Sequence, residues 1–262
     1  MEIKYDMNDF LEAGVHFGHN KSRWHPNMAP YVYMEANGIH LVDVKKTITK
    51  LETASEAIKN VAKSGRKILF VATKKQAKDI IEKAAKSVNM PYTSERWLGG
   101  MLTNFTTVRK SLKKLQSLEQ MFNDGTISNL QKKERLMKMR EKEKLESVLG
   151  GISDLKRLPA ALFVVDIKKE HIAVAEAKKL NLTTFAIVDT NSDPTQVDFP
   201  IPGNDDSTKS IGLITEVLTA AIAEGLNERK AQRESEKRDT KEEGDSEEKP
   251  KRPRRRKISK KS

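Results

Sequence analysis

Short apolar runs of strand length alternate with amphipathic stretches along most of this chain. Uniformly apolar runs are typical of strands that are covered on both faces of a sheet. The predicted strands are Lys67–Ala72, Pro91–Thr93, Ala161–Val165, Thr184–Val188 and Phe199–Ile201. The predicted helices between and after them are Lys75–Ser87, Glu170–Leu180 and Ser207 to about Glu224. This alternation predicts an α/β fold, a flavodoxin-like or Rossmann-like doubly wound parallel sheet with helices on both faces.

Smaller elements are predicted ahead of this sheet. Asp6 can cap a short helix that ends near Gly14. Two strand-like runs, Tyr31–Ala36 and Ile39–Asp43, flank Asn37-Gly38, a dipeptide that favours positive φ at both positions and predicts a two-residue hairpin. A helix with one apolar face is predicted from Thr47.

Residues 105–149 interrupt the alternation, because they contain no strand-like run. They predict two helices joined at Asn123-Asp-Gly125, and Ser128 with Gln131 is a candidate capping box for the second helix. Each helix has a single narrow apolar stripe, and the segment has 11 Lys/Arg and 6 Asp/Glu. This pattern predicts an antiparallel coiled-coil arm. The alternative is a helical hairpin that packs flat on the sheet.

These boundaries divide the chain into three parts. Residues 1–104 and 150–227 are predicted to form one discontinuous α/β domain, and residues 105–149 the coiled-coil insertion. Residues 228–262 are predicted to be a disordered basic tail, because they have too little apolar surface to offset the entropy of ordering. Nine of the basic residues lie in Lys249–Ser262, so the tail is either a solvated extension or an RNA-binding segment.

Composition excludes several classes of protein. The net charge of +12 points to an anionic partner. The absence of cysteine excludes disulfides, cysteine-ligated zinc and thiol catalysis. The amino-terminal residues do not resemble a secretory signal, and the longest apolar runs are too short to cross a bilayer, so a cytoplasmic location with no membrane partner is expected. Glycine-rich phosphate loops and a nucleophile elbow are also missing, so no enzyme chemistry is indicated.

A possible cation site is predicted at the carboxyl edge of the sheet. His16, His19, Asp189 and Asp205 could form a tetrahedral zinc set if the amino-terminal segment packs over that edge. Alternatively, the aspartates that follow the strands could hold Mg²⁺. A third interpretation is that these aspartates only cap helices and organise turns. No cofactor is required by any of these interpretations.

The segment Ser94–Lys110 offers the strongest signal for a binding function. Two glycines, Gly99 and Gly100, predict a sharp turn with positive φ at Gly99, and Arg96, Trp97 and Asn104 lie around them. A basic helix follows directly, which suits the binding of a polyanion. The low aromatic content, 5%, favours contacts to RNA phosphates and shape over stacking on single-stranded bases.

The same residues resemble the sequence signature of a known protein family. Arg96-Trp-Leu-Gly-Gly-Met-Leu-Thr-Asn104 closely resembles the signature of the bacterial ribosomal protein S-two family, the second protein of the small ribosomal subunit. The match extends to Ala13–His19, Ile187–Pro194 and Ile201–Asp206, and it covers all but the carboxyl-terminal tail.

The resemblance implies a structural, non-catalytic protein that binds small-subunit rRNA between head and body in the cytoplasm. It also implies late assembly and a role in docking the large OB-fold ribosomal protein that captures mRNA; a homo-oligomer is not expected. The predicted rRNA contacts are Arg23, Lys74, Lys75, Arg96, Asn104, Arg109, Lys110, Lys113 and Lys114. Two alternatives remain: a cytosolic flavodoxin-like enzyme or nucleotide-binding protein with a helical arm, and an RNA chaperone that acts through the basic tail.

Overall fold

The computed structural model describes residues 5–245, with side chains described for 5–127 and 130–233. Among these residues no helix is long and apolar enough to span a membrane. The described helices are α1 (Met7–Glu12), α2 (Val44–Lys63), α3 (Lys75–Ser87), α4 (Phe105–Asn123), α5 (Lys132–Leu149), α6 (His171–Lys179) and α7 (Thr208–Asp245). The strands are β1 (Phe17–Asn20), β2 (Val32–Ala36), β3 (Ile39–Val42), β4 (Ile68–Val71), β5 (Tyr92–Thr93), β6 (Ala161–Val165), β7 (Thr183–Val188) and β8 (Phe199–Pro202).

The last five strands form a parallel sheet in the order β5-β4-β6-β7-β8. The chain moves outward from β4 to β5 and then returns to β6 on the other side of β4, so the switch point of the sheet lies between β4 and β6. The helices that follow these two strands, α3 and α6, cover opposite faces. The α/β doubly wound fold is therefore confirmed.

Alternate residues of the central strands enter two separate cores. Phe70, Phe163 and Phe185 face α2, α3 and α7, and the rings of Phe70 and Phe163 meet edge to face at 5.5 Å. The intervening residues, such as Leu162 and Val164, face α6 and the base of the helical insertion. Both faces are fully buried, which explains why these strands are apolar at every position.

The predicted hairpin is confirmed, and it belongs to a small antiparallel sheet in the order β1-β3-β2. Asn37 and Gly38 have φ of 52° and 75°, as a two-residue turn of this type requires. The sequence did not predict β1, because Phe17–Asn20 is only four residues long and lacks strand-like alternation. The start of α2 was also predicted too late: Asp43 is its N-cap and accepts a hydrogen bond from the backbone nitrogen of Lys45 at 3.1 Å.

The last helix is longer than the sequence predicted. It was expected to end near Glu224, with disorder from residue 228, but α7 continues to Asp245. Glu224 and Glu228 form ion pairs with Lys59 of α2 at 2.9 and 2.7 Å, so the charged helix is anchored beyond the end of its apolar face. The basic segment 249–262 lies outside the described residues.

The insertion forms two helices, α4 and α5, as predicted. Lys114 of α4 forms an ion pair with Glu141 of α5, and the Lys142 ammonium lies 5.2 Å from the centre of the Phe122 ring. The proposed capping box was wrong. Ser128 lies in a 3-10 turn, and α5 begins at Lys132 with Gln131 at the N-cap, because the turn after Gly125 takes up four more residues.

The base of this arm is part of the protein core. Val108 and Leu112 of α4 and Leu149 of α5 are buried in the same cluster as Leu162 and Val164 of β6. The first two turns of α5 are exposed. The insertion therefore combines a packed base with an exposed outer part.

Candidate nucleic-acid interface

The turn between β5 and α4 is built around a buried carboxylate, that of Glu176 in α6. Its Oε1 accepts hydrogen bonds from the indole nitrogen of Trp97 at 3.2 Å and from the backbone nitrogen of Gly100 at 2.7 Å. Its Oε2 accepts from the backbone nitrogens of Leu102 and Thr103, both at 2.9 Å, and from the Thr103 hydroxyl at 3.0 Å. Five donors converge on one side chain, so the turn is held in a single shape.

Glu176 and Trp97 are each only 7% exposed, and neither can make extensive contact with a ligand. Burial alone would raise the pKa of Glu176, but the backbone hydrogen bonds from Thr103, Leu102 and Gly100 hold it below its usual value. Sequence reasoning missed this residue. Its position in the Ala-rich stretch of α6, among residues that are buried, was the only available signal.

The backbone strain of the turn lies at Gly100, and the expectation for Gly99 was wrong. Gly100 has a φ of +85°, and a Cβ there would lie 3.2 Å from the Cβ of Asn104. Gly99 does not have positive φ, and a Cβ there would meet no atom within 4 Å. Pairs of glycines do not reveal from sequence which residue adopts the left-handed conformation.

The polar residues at the two ends of the turn face outward. Arg96 and Asn104 are exposed. The side-chain oxygen of Asn104 accepts a hydrogen bond from the Thr107 hydroxyl at 2.9 Å, which connects the turn to the first turn of α4. The rigid turn therefore presents a cation and an amide beside the start of a basic helix.

Further cations continue this surface along α4. The exposed residues are Arg109, Lys110, Lys113 and Lys114. At 3.6 residues per turn they lie on the side of α4 opposite its buried stripe of Val108, Leu112, Leu115 and Leu118. Lys114 also pairs with Glu141, as described above. Two predicted residues outside α4, Arg23 and Lys75, are exposed as well.

Lys74 differs from the other predicted contacts, because its side chain is only 13% exposed and points into the sheet edge. Its ammonium lies 2.9 Å from Asp166, 2.8 Å from Asp205 and 2.9 Å from Asp206. Burial would lower the pKa of Lys74, but these carboxylates raise it above its usual value. The structure therefore gives Lys74 an internal ion-pairing role in place of the predicted surface contact.

This cluster lies at the switch point of the sheet, where α/β proteins of this class bind nucleotides. Nearby, Glu170 accepts hydrogen bonds from the backbone nitrogen and hydroxyl of Thr73. Burial and the neighbouring Asp189 and Asp166 raise the pKa of Asp205 to about 7. A crevice lined by carboxylates repels phosphate, so this geometry does not favour the nucleotide-binding alternative.

Two of the four predicted cation ligands, His19 and Asp205, come together with Asp206, which was not in the predicted set. His19 Nδ1 lies 2.8 Å from Asp189, and His19, Asp205 and Asp206 place ligand atoms within 4.8 Å of one another. Asp205 is fully buried, and its Oδ2 has no hydrogen-bond partner among the described residues. The interpretation of aspartates as turn residues holds elsewhere, since Asp193 accepts a hydrogen bond from the backbone nitrogen of Thr195 at 3.0 Å.

The prediction for His16 was wrong. His16 lies against the ring of Phe17, with ring centres 4.0 Å apart, and lines a different, apolar groove. The two histidines are three residues apart, but the chain between them enters the short strand β1 and not a helix, so they do not share a face.

Comparison with known proteins decides between the remaining alternatives. The model of the family described as ribosomal protein S2 matches residues 10–225. The chain belongs to the ribosomal protein S2 family. The matched span includes the parallel sheet, the turn around Glu176 and the helical arm of this S2-family chain, and it excludes the outer half of α7.

Relatives of the S2-family chain match it at high identity. The small ribosomal subunit protein uS2 of Cytophaga hutchinsonii is 61% identical over 237 residues, which is 90% of this chain and 93% of that protein. The protein of the same name from Flavobacterium johnsoniae is 60% identical over 236 residues, again 90% and 93%. The one from Bacteroides thetaiotaomicron is 58% identical over 228 residues, 87% of this chain and 82% of that protein.

Proposed function

We propose that this chain is a structural protein of the small ribosomal subunit, bound between head and body, and that it binds small-subunit rRNA without catalysing a reaction. The main support for the proposal is the rigid turn around Glu176. This turn presents Arg96 next to the cationic face of α4. RNA backbones are bound through such arrays of cations on fixed elements. The predicted contacts are the exposed residues named above, without Lys74.

Sedimentation tests this role directly. The full chain, added to small subunits that lack it, is expected to sediment with them at low salt and to leave them as the salt concentration rises, because phosphate contacts release counterions. A chain that stays in the supernatant at every salt concentration would contradict the proposal.

The second part of the proposal is the docking of the large OB-fold mRNA-binding ribosomal protein that the family resemblance implies. An apolar groove of about 570 Å³ lies between α1 and the small sheet. It is lined by Met7, Leu11, His16, Tyr33 and Met34, among others, and Tyr33 is 73% exposed. Exposed apolar side chains in such a groove are typical of a protein-docking surface.

Binding of the purified OB-fold protein to subunits that carry variant chains tests this groove. Tyr33→Ser is expected to weaken docking, because aromatic side chains commonly dominate such contacts. Leu158→Ser is the control, since Leu158 is also exposed, at 43%, but does not line the groove. Equal docking by the two variants would assign the docking surface elsewhere.

A further inference from the structure

Two adjoining cavities form one groove at the amino-terminal edge of the parallel sheet, the edge opposite the turn around Glu176. One cavity, of about 350 Å³, lies between the turn before β4, the turn before β5 and α7. The other, of about 240 Å³, lies between the turn before β5 and the base of the arm. The cavities share Lys67, Asn89 and Met90, so they lie side by side.

Most of the charged residues that line this groove are cations. The lining cations are Arg66, Lys67, Lys86, Arg229 and Lys230, and Asp154 is the one carboxylate among the described lining residues. Lys67 donates a hydrogen bond to the carbonyl of Asn89, and Lys86 pairs with Glu82 at 2.6 Å. The remaining charge comes from Arg66, Arg229 and Lys230.

One of these cations lies close against the backbone of Gly65. Gly65 has a φ of +75°, and a Cβ there would lie 1.6 Å from the guanidinium carbon of Arg229. The guanidinium therefore lies directly against bare backbone, where any other residue would displace it. Lys59 and Lys63 of α2 pair with Glu228, at 2.7 and 3.2 Å, which fixes α7 in this position.

The same ion pairs keep one further acid out of the groove. Glu228, the acid next to Arg229 in sequence, is bound to α2 and does not line the groove. The lining contains one aromatic ring, that of Tyr92, among the described residues, and the Lys86 ammonium lies 5.7 Å from its centre. The groove therefore suits a phosphate backbone more than it suits stacked bases.

We propose that this groove binds the phosphate backbone of a second RNA segment, so that the chain contacts RNA at both edges of its sheet. The proposal rests on the proposed function, since it assigns RNA as the ligand of the same protein at a separate surface. RNA is favoured over an acidic protein segment because the proposed function already makes RNA the ligand of this chain, and five cations line the groove against one carboxylate among its described residues. Arg229 and Lys230 of α7 complete the site, and both lie beyond the end of the family match at residue 225.

Salt-dependent binding to small subunits that lack this chain tests the groove. The variant is Arg66→Gln/Arg229→Gln/Lys230→Gln in the full chain, and the matched control is Lys50→Gln/Lys178→Gln/Lys209→Gln, three exposed lysines elsewhere on the body. Loss of three phosphate contacts is expected to lower the slope of log affinity against log salt by about 2 units, and the control is expected to keep the wild-type slope. Equal slopes for the variant and the wild type would overturn the groove proposal. If the wild-type chain does not bind the subunits at all, the proposed function fails as well.

Cross-linking gives a second readout that does not depend on these substitutions. A photoreactive amino acid replaces Asn227, which lines the groove and is exposed, or Lys178 as the control, and the chains are assembled into subunits. A cross-link to RNA from position 227, with none or a weaker one from position 178, is the expected result. A cross-link from position 227 to protein only, or none, would overturn the proposal.

Discussion

The indole nitrogen of Trp97 lies 3.2 Å from Oε1 of Glu176, and this hydrogen bond joins the turn before α4 to helix α6. Both side chains are buried, so the pair determines the shape of the turn and leaves the contacts to its outward residues. Arg96, the neighbour of Trp97 in sequence, points to solvent. A tryptophan in a binding signature is thus a structural anchor here.

Glu176→Gln is expected to destabilise the protein by roughly 1–3 kcal/mol, because the amide group would face backbone donors and leave at least one of them unpaired. Glu170→Gln is the matched control. Glu170 is also buried, but burial raises its pKa, so a neutral amide is closer to its preferred state. Urea denaturation measures the stability of both variants. Equal losses of stability would contradict the role of Glu176 in holding the turn.

The lowered pKa of the Glu176 carboxylate predicts that the stability of the protein depends on pH. Its pKa in the folded protein is below the usual 4.5, so its contribution to stability is present above pH 4.5 and is lost as the pH falls through the folded pKa. We expect the free energy of unfolding to fall less steeply below pH 4.5 in Glu176→Gln than in the wild type. Parallel curves for the two proteins would show that folding does not lower the pKa of Glu176.

Gly100→Ala is expected to cost about 1–2 kcal/mol, since an L-residue is strained at φ +85°. Gly99→Ala is expected to change stability by much less, because its Cβ would meet open space. Thermal unfolding of the two variants is the measurement. A larger loss of stability for Gly99→Ala than for Gly100→Ala would show that Gly99 is the strained glycine of the turn.

The arm is expected to be separable from the body in its outer part. Replacing residues 115–142 by a short Gly-Ser linker keeps Val108, Leu112 and Leu149 in the core, so cooperative unfolding should persist. Replacing all of residues 105–149 removes these three side chains and should destabilise the body. If the two deletions unfold alike, the base of the arm does not contribute to the core.

The cation site predicted at the carboxyl edge can be tested with zinc as the probe, by calorimetry on the full chain. We expect zinc to bind equally to the wild type and to His16→Ala, because His16 lies in the apolar groove, and to compete with the Lys74 ammonium that pairs with Asp205 and Asp206. His19→Ala should weaken binding by at least about tenfold, since His19 is one of the clustered ligands. Loss of binding in His16→Ala with retention in His19→Ala would contradict this arrangement.

The elements that the sequence predicted are those determined by local pattern. The apolar strands β4 and β6 and the Asn37-Gly38 hairpin depend on neighbouring residues only, and each is confirmed. The two arm helices are found too, α4 with its apolar stripe buried and α5 with Leu149 as its buried residue.

The features that the sequence did not predict depend on partners distant in the chain. Glu176 meets the Trp97–Thr103 turn from more than 70 residues away. Helix α7 continues past Glu224, where Lys59 and Lys63 of α2 pair with its acids. Lys74 looks like a surface cation until the fold brings three aspartates around it.

Binding to small subunits that lack this chain, measured over a range of salt concentrations, tests the central claim most directly. The variant is Arg96→Ala/Arg109→Ala, and the control is Lys50→Ala/Lys209→Ala, which removes the same charge from exposed positions on the body. We expect wild-type stability for both, and a slope of log affinity against log salt lower by about 1–2 units for the arginine variant alone. A wild-type slope for the arginine variant, or an equal reduction in the control, would contradict the assignment of the RNA-binding surface.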